Sequence, residues 1–147
     1  MKLLKYGGFA LVVLVVVGVC ALAFLGMQSR SGAALGLFDV VLADCPSTPN
    51  CVSSETGTPD EKKVASLPLT AWAKLPTVIA EMGGNVTNRE DAYLAVEFTS
   101  GFFGFVDDVE FRLTETDVQV RSSSRVGYSD RGVNSDRVVA LREMLRN

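Results

Sequence analysis

The sequence predicts an α+β protein in which an N-terminal transmembrane helix precedes a small domain, a three-stranded antiparallel sheet packed against two helices. Three observations lead to this fold class. Residues 6–27 contain no charged side chain, three segments within 92–126 carry apolar residues at every second position, and the segments on either side of 92–126 repeat apolar residues every three or four positions. One apolar sheet face covered by two helices is the simplest way to bury both kinds of segment in one core.

The apolar run "YGGFALVVLVVVGVCALAFLGM" (6–27) predicts a membrane-spanning helix. Its 22 residues suffice to cross a hydrocarbon core of roughly 30 Å at about 1.5 Å per residue. Lys2 and Lys5 lie in a short n-region, residues 1–5, which the positive-inside rule places in the cytoplasm. Cleavage as a signal peptide at "ALA" (21–23) is the alternative. The run continues past that site, which favours an uncleaved signal anchor.

This topology places the rest of the chain outside the cytoplasm. Residues 28–41 ("QSRSGAALGLFDVV") are small and polar with a late apolar cluster, and we predict that they form a spacer. Residues 42–147 are then an extracytoplasmic domain, in the periplasm or an equivalent space. The predicted location is the inner (cytoplasmic) membrane, crossed once.

Charge and composition exclude several classes of function. Beyond Met27 the chain carries 12 basic and 17 acidic residues, which argues against binding to nucleic acid. The sequence has no histidine, so it lacks the commonest general base, most zinc ligands and every Ser–His or Cys–His nucleophile. We therefore predict no metal site and no cofactor.

The stretch "LADCPSTPNCVSS" (42–54) contains two cysteines that predict a structural disulfide, Cys45–Cys51. A metal clip would need further ligands, and a redox pair usually has two residues between its cysteines at the start of a helix. Lipid attachment would need a small residue where Asp44 stands and an apolar core directly upstream. An extracytoplasmic compartment favours oxidation, and so short a loop should stabilise the domain by roughly 2 to 3 kcal/mol.

The first domain helix is predicted within "LPLTAWAKLPTVIAEMGG". Its apolar stripe has spacings of three and four: Trp72, Leu75, Ile79 and Met82. Thr70 is the expected N-cap, and Gly83 with Gly84 the expected stop. Pro76 would cost about 3 kcal/mol inside a helix, so a break into two short pieces at Leu75 is an alternative.

Three strands are predicted next, at 92–100, 105–113 and 117–126. Apolar residues occupy every second position in the first two strands and at the start of the third, and the link "TETD" (114–117) is short enough for an antiparallel hairpin. A bulge or tight bend is expected in "SGFFGF" between the first two strands. The chain closes with a helix capped by Asn134, whose buried stripe is Val138, Leu141 and Leu145.

The stretch "VRSSSRVGYSDRGVN" (120–134) contains the residues on which a binding site would depend. If Arg121 and Arg112 face the same side of the hairpin, their guanidinium groups could hold a carboxylate or a phosphate. The alternative is that these arginines pair with acids across the sheet, at Asp107, Asp108 and Glu110. The predicted ligand-binding residues are Arg112, Arg121, Arg125, Tyr128, Asp130 and Asn134.

A hydrolase-type enzyme that uses Asp107 or Asp108 with the serine run 122–124 is the second hypothesis. Adjacent residues in a strand point to opposite faces, so the two aspartates do not by themselves form an acid/base pair. The serines have no histidine or suitably placed lysine as a base. We therefore predict no catalytic residue.

Three motifs occur in an order that resembles the domain-of-unknown-function 1499 family. They are "CPSTPNCVSS", "FVDDVEFRL" and "VRSSSRVGYSDRGVN", followed by a helix that carries arginines, and the resemblance runs from about residue 42 to the end. Members are envelope proteins of bacteria with relatives in photosynthetic organisms. The resemblance implies that residues 42–147 are one domain and that the cysteine loop belongs to it. It implies no activity, because none is established for the family.

Together these observations predict a membrane-anchored envelope domain of unknown biochemical activity. The leading hypothesis is a non-enzymatic module that binds a partner protein or a small anionic ligand. A purely structural role in envelope integrity is a third hypothesis, which the sequence does not separate from the first.

Overall fold

The computed structural model describes residues 2–146, so Met1 of the predicted n-region lies outside the described residues. The helices are α1 (Lys2–Arg30), α2 (Ala71–Glu81) and α3 (Val133–Arg146), with a 3₁₀ turn at Asp60–Lys62. The strands are β1 (Leu37–Phe38), β2 (Val41–Leu42), β3 (Cys51–Ser53), β4 (Leu67–Pro68), β5 (Asn85–Arg89), β6 (Tyr93–Thr99), β7 (Val106–Leu113) and β8 (Asp117–Ser124). The predicted α+β class with an N-terminal apolar helix is confirmed.

The predicted strand count was wrong. The main sheet has six strands in the order β3-β8-β7-β6-β5, with β4 also paired to β8, and β1 and β2 form a separate two-stranded ribbon. The three predicted strands are β6, β7 and β8 at its centre, and the β7–β8 hairpin is antiparallel as expected. β3 and β4 are too short to show a period, and all five residues of the edge strand β5 are exposed, so none of these has an apolar alternation.

One face of this sheet packs against α2 and α3 and forms the main hydrophobic core. The core is built from alternate residues of the central strands and from one stripe of each helix: Leu94, Val96, Val109, Phe111, Val118 and Val120 from the sheet, and Leu75, Ile79, Val138, Leu141 and Leu145 from the helices. The predicted helix stripes are therefore confirmed. Burial of each such side chain contributes about 1.5 to 3 kcal/mol.

α2 is continuous through Pro76, so the alternative of two short pieces was wrong. Leu75 and Ile79, on either side of the proline, are both fully buried, and their burial exceeds the roughly 3 kcal/mol that the proline costs. Gly83 ends the helix at φ +80°, and Gly84 N–H donates to the Ile79 carbonyl at 2.9 Å, a Schellman arrangement.

α1 contains a stretch, Gly8–Arg30, that is long and apolar enough to cross a bilayer by length and composition. Its C-terminal turns contact the domain at the β6–β7 loop, where a Cβ on Gly26 would overlap the carbonyl oxygen of Phe103. The helix therefore runs directly to the domain surface.

Candidate functional site

The sheet face opposite the two helices is lined mainly by charged and polar side chains, and we call it the charged face. Cross-strand register places its members side by side: Tyr93, Ala95 and Glu97 on β6, Asp108, Glu110 and Arg112 on β7, and Gln119, Arg121 and Ser123 on β8. Arg112 and Arg121 do share one side of the hairpin, as the binding hypothesis required. The same periodicity that puts apolar residues under the helices puts these residues on the other side.

Residues 31–46, which we call the strap, cross the charged face in place of a helix. The backbone N–H of Gly36 donates to Glu110 Oε1 at 2.8 Å, and that of Leu42 donates to Glu55 Oε1 at 3.1 Å. Leu42 forms a small apolar cluster with Tyr93 and Ala95. Most of the segment predicted to be a spacer, 28–41, thus lies on the domain.

The centre of the charged face is a fully buried ion pair between Arg121 and Glu110. Arg121 Nη1 donates to Glu110 Oε2 at 2.9 Å, with side-chain exposures of 3% and 0%. Tyr93 Oη donates to the other carboxylate oxygen at 2.7 Å. Burial, and then the hydrogen bond to Glu110, raise the pKa of Tyr93, which therefore remains a donor. Arg121 Nε is buried and has no hydrogen-bond partner among residues 2–146.

Two further arginines are paired on either side of this centre. Arg125 Nε and Nη2 bond the two oxygens of Asp108, each at 2.7 Å, and Nη2 also bonds Glu97. The hydrogen bonds to Asp108 raise the pKa of Arg125. Arg112 Nε and Nη2 bond Glu55 at 2.7 Å each, and this bidentate contact raises the pKa of Arg112. The cross-strand pairing alternative therefore describes Arg121 and Arg125, while the partner of Arg112 comes from outside the hairpin.

A cavity of about 360 Å³ lies between the strap and the charged face. Its polar lining includes Asp44, Asp108, Arg121, Ser123 and Arg125, and Gly32, Ala33 and Leu35 of the strap close it from above. A second cavity, of about 460 Å³, lies toward β5 and is lined by Ala33, Ala34 and Tyr93 among others. The strap residues 33–36 thus separate two hollows over one polar surface.

The other three predicted ligand residues lie away from the charged face. Tyr128 is 75% exposed. Asp130 accepts from the N–H of Gly132 at 3.1 Å and of Asn134 at 2.7 Å. Asp130, rather than Asn134, therefore caps α3, and the predicted cap was wrong. Asn134 is buried on the helix side of the sheet, where its amide bonds the carbonyl of Asn50.

Asp107 and Asp108 point to opposite faces, as predicted. Asp107 is held by Arg137 Nη2 at 2.6 Å under α3, while Asp108 is held by Arg125. Ser122 Oγ donates to Asn134 Oδ1 at 2.6 Å. Among residues 2–146, no hydroxyl of the serine run bonds to the carboxylate of either aspartate, and no group of three or more residues that could hold a metal is assembled.

Sequence reasoning missed two carboxylates of the charged face. Glu97 was predictable, because at every second position it shares a face of the strand with Tyr93 and Ala95, and it falls opposite Asp108. Glu55 lies 57 positions from Arg112, and no local pattern connects them.

The predicted disulfide between Cys45 and Cys51 is confirmed. Cys45 lies one residue before the end of the strap, and Cys51 begins β3, opposite Ser123 of β8. The bond thus joins one end of the strap to the sheet beside the cavity. Lys62 is buried nearby, and its Nζ donates to the carbonyl of Pro46 in the same loop.

The model of DUF1499, a family of proteins of unknown function, matches residues 41–145. No curated protein and no solved structure matches the chain.

Proposed function

This chain belongs to the DUF1499 family, and we propose that it is a membrane-anchored extracytoplasmic domain that binds a partner protein, without enzymatic activity, in the cavity under the strap. The observation that carries the proposal is a buried charged surface that is covered by the strap rather than by a helix, and that contains an arginine nitrogen with no hydrogen-bond partner among residues 2–146.

Two features support the anchor and the compartment. Gly8–Arg30 has the length and composition of a membrane span, and the lysines before it favour a cytoplasmic N-terminus in the inner membrane. The disulfide is a feature of oxidising compartments.

The junction between α1 and the domain supports a fixed position near the membrane. Ser29 Oγ accepts from the N–H of Val106 at 2.8 Å and donates to its carbonyl at 3.2 Å. Arg125 Nη1 donates to the carbonyl of Ser29 at 3.1 Å. The arginine that closes one side of the cavity is thus bonded to the end of the anchor helix.

Stability alone gives no reason for this charged surface. Well-packed apolar residues can replace a buried ion pair with little loss, and often with a gain, because desolvation of both charges offsets their attraction. Arg121 and Glu110 are desolvated almost completely, and Arg121 Nε adds an unmade hydrogen bond that costs about 1 to 3 kcal/mol. Binding accounts for both features, because an acceptor group from a partner would supply the missing hydrogen bond of Arg121 Nε.

The balance of charge favours a protein segment over a small anion as the ligand. Three arginines of the charged face are paired with four carboxylates, Glu55, Glu97, Asp108 and Glu110, so the network is net negative. Asp44 adds a further acid at the cavity. A free anion would meet repulsion there, whereas a peptide group offers a neutral acceptor for Arg121 and a donor for the carboxylates.

The hydrolase alternative gains no support from the geometry. Each aspartate is neutralised by an arginine, and the hydroxyl of Ser122 is bonded to Asn134. A serine nucleophile needs a base within hydrogen-bond reach, and none is assembled among the described residues.

Site-specific photocrosslinking in intact cells tests the proposal. A photoreactive phenylalanine analogue at Leu35, which lines the cavity, should give a discrete protein adduct, and the same analogue at Thr116, on the exposed β7–β8 turn, should not. Arg121→Lys keeps the charge next to Glu110 but removes the planar guanidinium, and it should abolish the Leu35 adduct.

Two results would contradict binding in the cavity. One is the lack of any adduct at Leu35 in the otherwise unchanged chain, and the other is an adduct at Leu35 that survives Arg121→Lys. Thermal stabilisation of the full chain by phosphate or acetate, lost in Arg121→Lys, would instead favour the anionic ligand.

A further inference from the structure

A groove that no strap residue lines lies between the end of α1 and the domain. Its volume is about 400 Å³. We call it the interfacial groove and define it by Leu22 and Leu25 of α1 together with Phe105, Val126, Arg131 and Val133 of the domain.

The depth of the groove follows from the position of its helix residues, and this step rests on the proposed anchor. The uncharged run ends at Met27, so Leu22 and Leu25 lie about 8 Å and about 3 Å along the helix axis from the end of the run. These depths fall at the boundary between acyl chains and headgroups of a bilayer with a core of roughly 30 Å. The groove therefore opens toward lipid.

The β6–β7 loop independently indicates that this end of the domain faces the bilayer. Phe102 is 88% exposed beside the last turn of α1, and its ring stacks edge-on against Phe103 at 4.8 Å. Arg30 Nη1 donates to the carbonyl of Phe103 at 3.2 Å and so holds the loop at the helix end. An exposed phenylalanine costs free energy in water and gains it in the interface, where apolar side chains of peripheral proteins insert.

The chemistry of the groove is amphipathic. Its apolar lining comes from Leu22 and Leu25 of α1 and from phenylalanine and valine side chains of the domain, while Ser129 and Arg131 come from the loop before α3. Asp107 is neutralised by Arg137, and Asp130 caps α3. Arg131 forms no ion pair with any residue from 2 to 146, so its guanidinium is available at the polar side, where the Asp130 carboxylate is engaged by the backbone N–H groups of Gly132 and Asn134.

We infer that the interfacial groove binds a phospholipid of the surrounding bilayer. An acyl chain lies against Leu22, Leu25 and Val126, and the headgroup phosphate meets Arg131. A guanidinium is the side chain best suited to a phosphate, and the apolar wall continues the surface that α1 presents to the membrane.

The test uses the full chain reconstituted in vesicles that contain phosphatidylglycerol with a diazirine in the upper half of one acyl chain. After irradiation and proteolysis, labelled peptides should fall in two places, along α1 and in residues 124–133. Val126→Trp, which fills the groove, should abolish the label in 124–133 and leave that in α1. Val139→Trp, at a solvent-facing position of α3 that is 55% exposed, is the matched control and should change neither.

Arg131→Gln is a second variant, at an exposed position where folding is not at risk, and should weaken the label in 124–133 only. Label along α1 with none in 124–133, or label in 124–133 that persists in both groove variants, would overturn the inference and leave the anchor standing. Absence of label from α1 would instead contradict the proposed anchoring, and the inference with it.

Discussion

The two faces of the main sheet are covered in different ways. One carries apolar side chains under two helices, and the other carries arginines and carboxylates under the strap. Phe111 and Glu110 are neighbours in β7 and both are completely buried, yet one packs among leucines and valines while the other bonds an arginine, a tyrosine and a backbone amide. Phe111 and Glu110 are therefore equally buried but contribute unequally to the free energy of unfolding.

The face under the helices therefore stabilises the domain, while the charged face constrains its conformation. Removal of apolar area from water is favourable without any partner geometry. A buried charge is tolerated only when its partner is present. A substitution on the charged face therefore costs free energy mainly because the remaining partner is buried without a counter-charge.

The largest effect is expected from Phe111→Ala on the helix face. The cavity and the lost transfer free energy should lower the free energy of unfolding by about 3 to 5 kcal/mol. Trp72, the single tryptophan, packs against the same core and reports unfolding of the full chain in detergent micelles by its fluorescence. A loss as small as that of a surface substitution would contradict the assignment of this face as the stabilising core.

Arg121→Met should destabilise almost as much, by about 3 kcal/mol, because Glu110 is left buried without its partner. The double variant Arg121→Met with Glu110→Gln should recover about 1 to 2 kcal/mol of that loss. The glutamine oxygen still accepts from Tyr93 and Gly36 at the position that the carboxylate occupies.

Arg146→Met, in an exposed pair with Glu143, is the matched control and should cost less than about 0.5 kcal/mol. If the double variant Arg121→Met with Glu110→Gln is no more stable than Arg121→Met alone, the loss does not come from the unpaired Glu110 carboxylate. The ion pair itself would then stabilise the fold.

Cys45→Ser with Cys51→Ser should lower the free energy of unfolding by about 2 to 3 kcal/mol. Because the bond joins the strap to β3, its loss should also raise hydrogen exchange in residues 31–46 more than in α2 or α3. Equal increases in all three segments would indicate a general rather than a local constraint.

Tyr93→Phe should have the smallest effect, about 1 kcal/mol at neutral pH, from the lost hydrogen bond to Glu110. The stability that Tyr93 contributes depends on pH in the alkaline range. The pKa of Tyr93 is raised in the folded state, so its contribution is fully present below about pH 10, the value in the unfolded chain, and is lost as pH rises above that.

Unfolding curves at pH 8 and at pH 11 measure this contribution. The wild type should lose about 1.4 kcal/mol more than Tyr93→Phe over one pH unit above 10. Identical losses in the two proteins would show that Tyr93 titrates as it does in the unfolded chain.

Periodicity made the helix face predictable from sequence. The stripes of α2 and α3 and the alternation in β6, β7 and β8 are local patterns, and they identified the core residues correctly. β3, β4 and β5 were not predicted. β3 and β4 have only two or three residues, too few to show a period, and the edge strand β5 is exposed on both sides.

The charged face was only half predictable. Alternation placed Arg112 and Arg121 together, and cross-strand pairing gave Glu110 and Asp108 as partners. Nothing local indicated that Glu55 would return to Arg112 or that the strap would cross the sheet, because these contacts join distant segments through side chains and single backbone amides.

The most direct test of the proposal that a partner binds Arg121 under the strap, which requires the strap to open, is native-state hydrogen exchange of the full chain in micelles. We expect Gly36 and Leu42, whose amides bond carboxylates of the charged network, to exchange through local opening, while α2, α3 and the central strands exchange only with global unfolding. Protection of Gly36 and Leu42 equal to that of the central strands would show that the strap is a fixed part of the core, and would contradict the proposal.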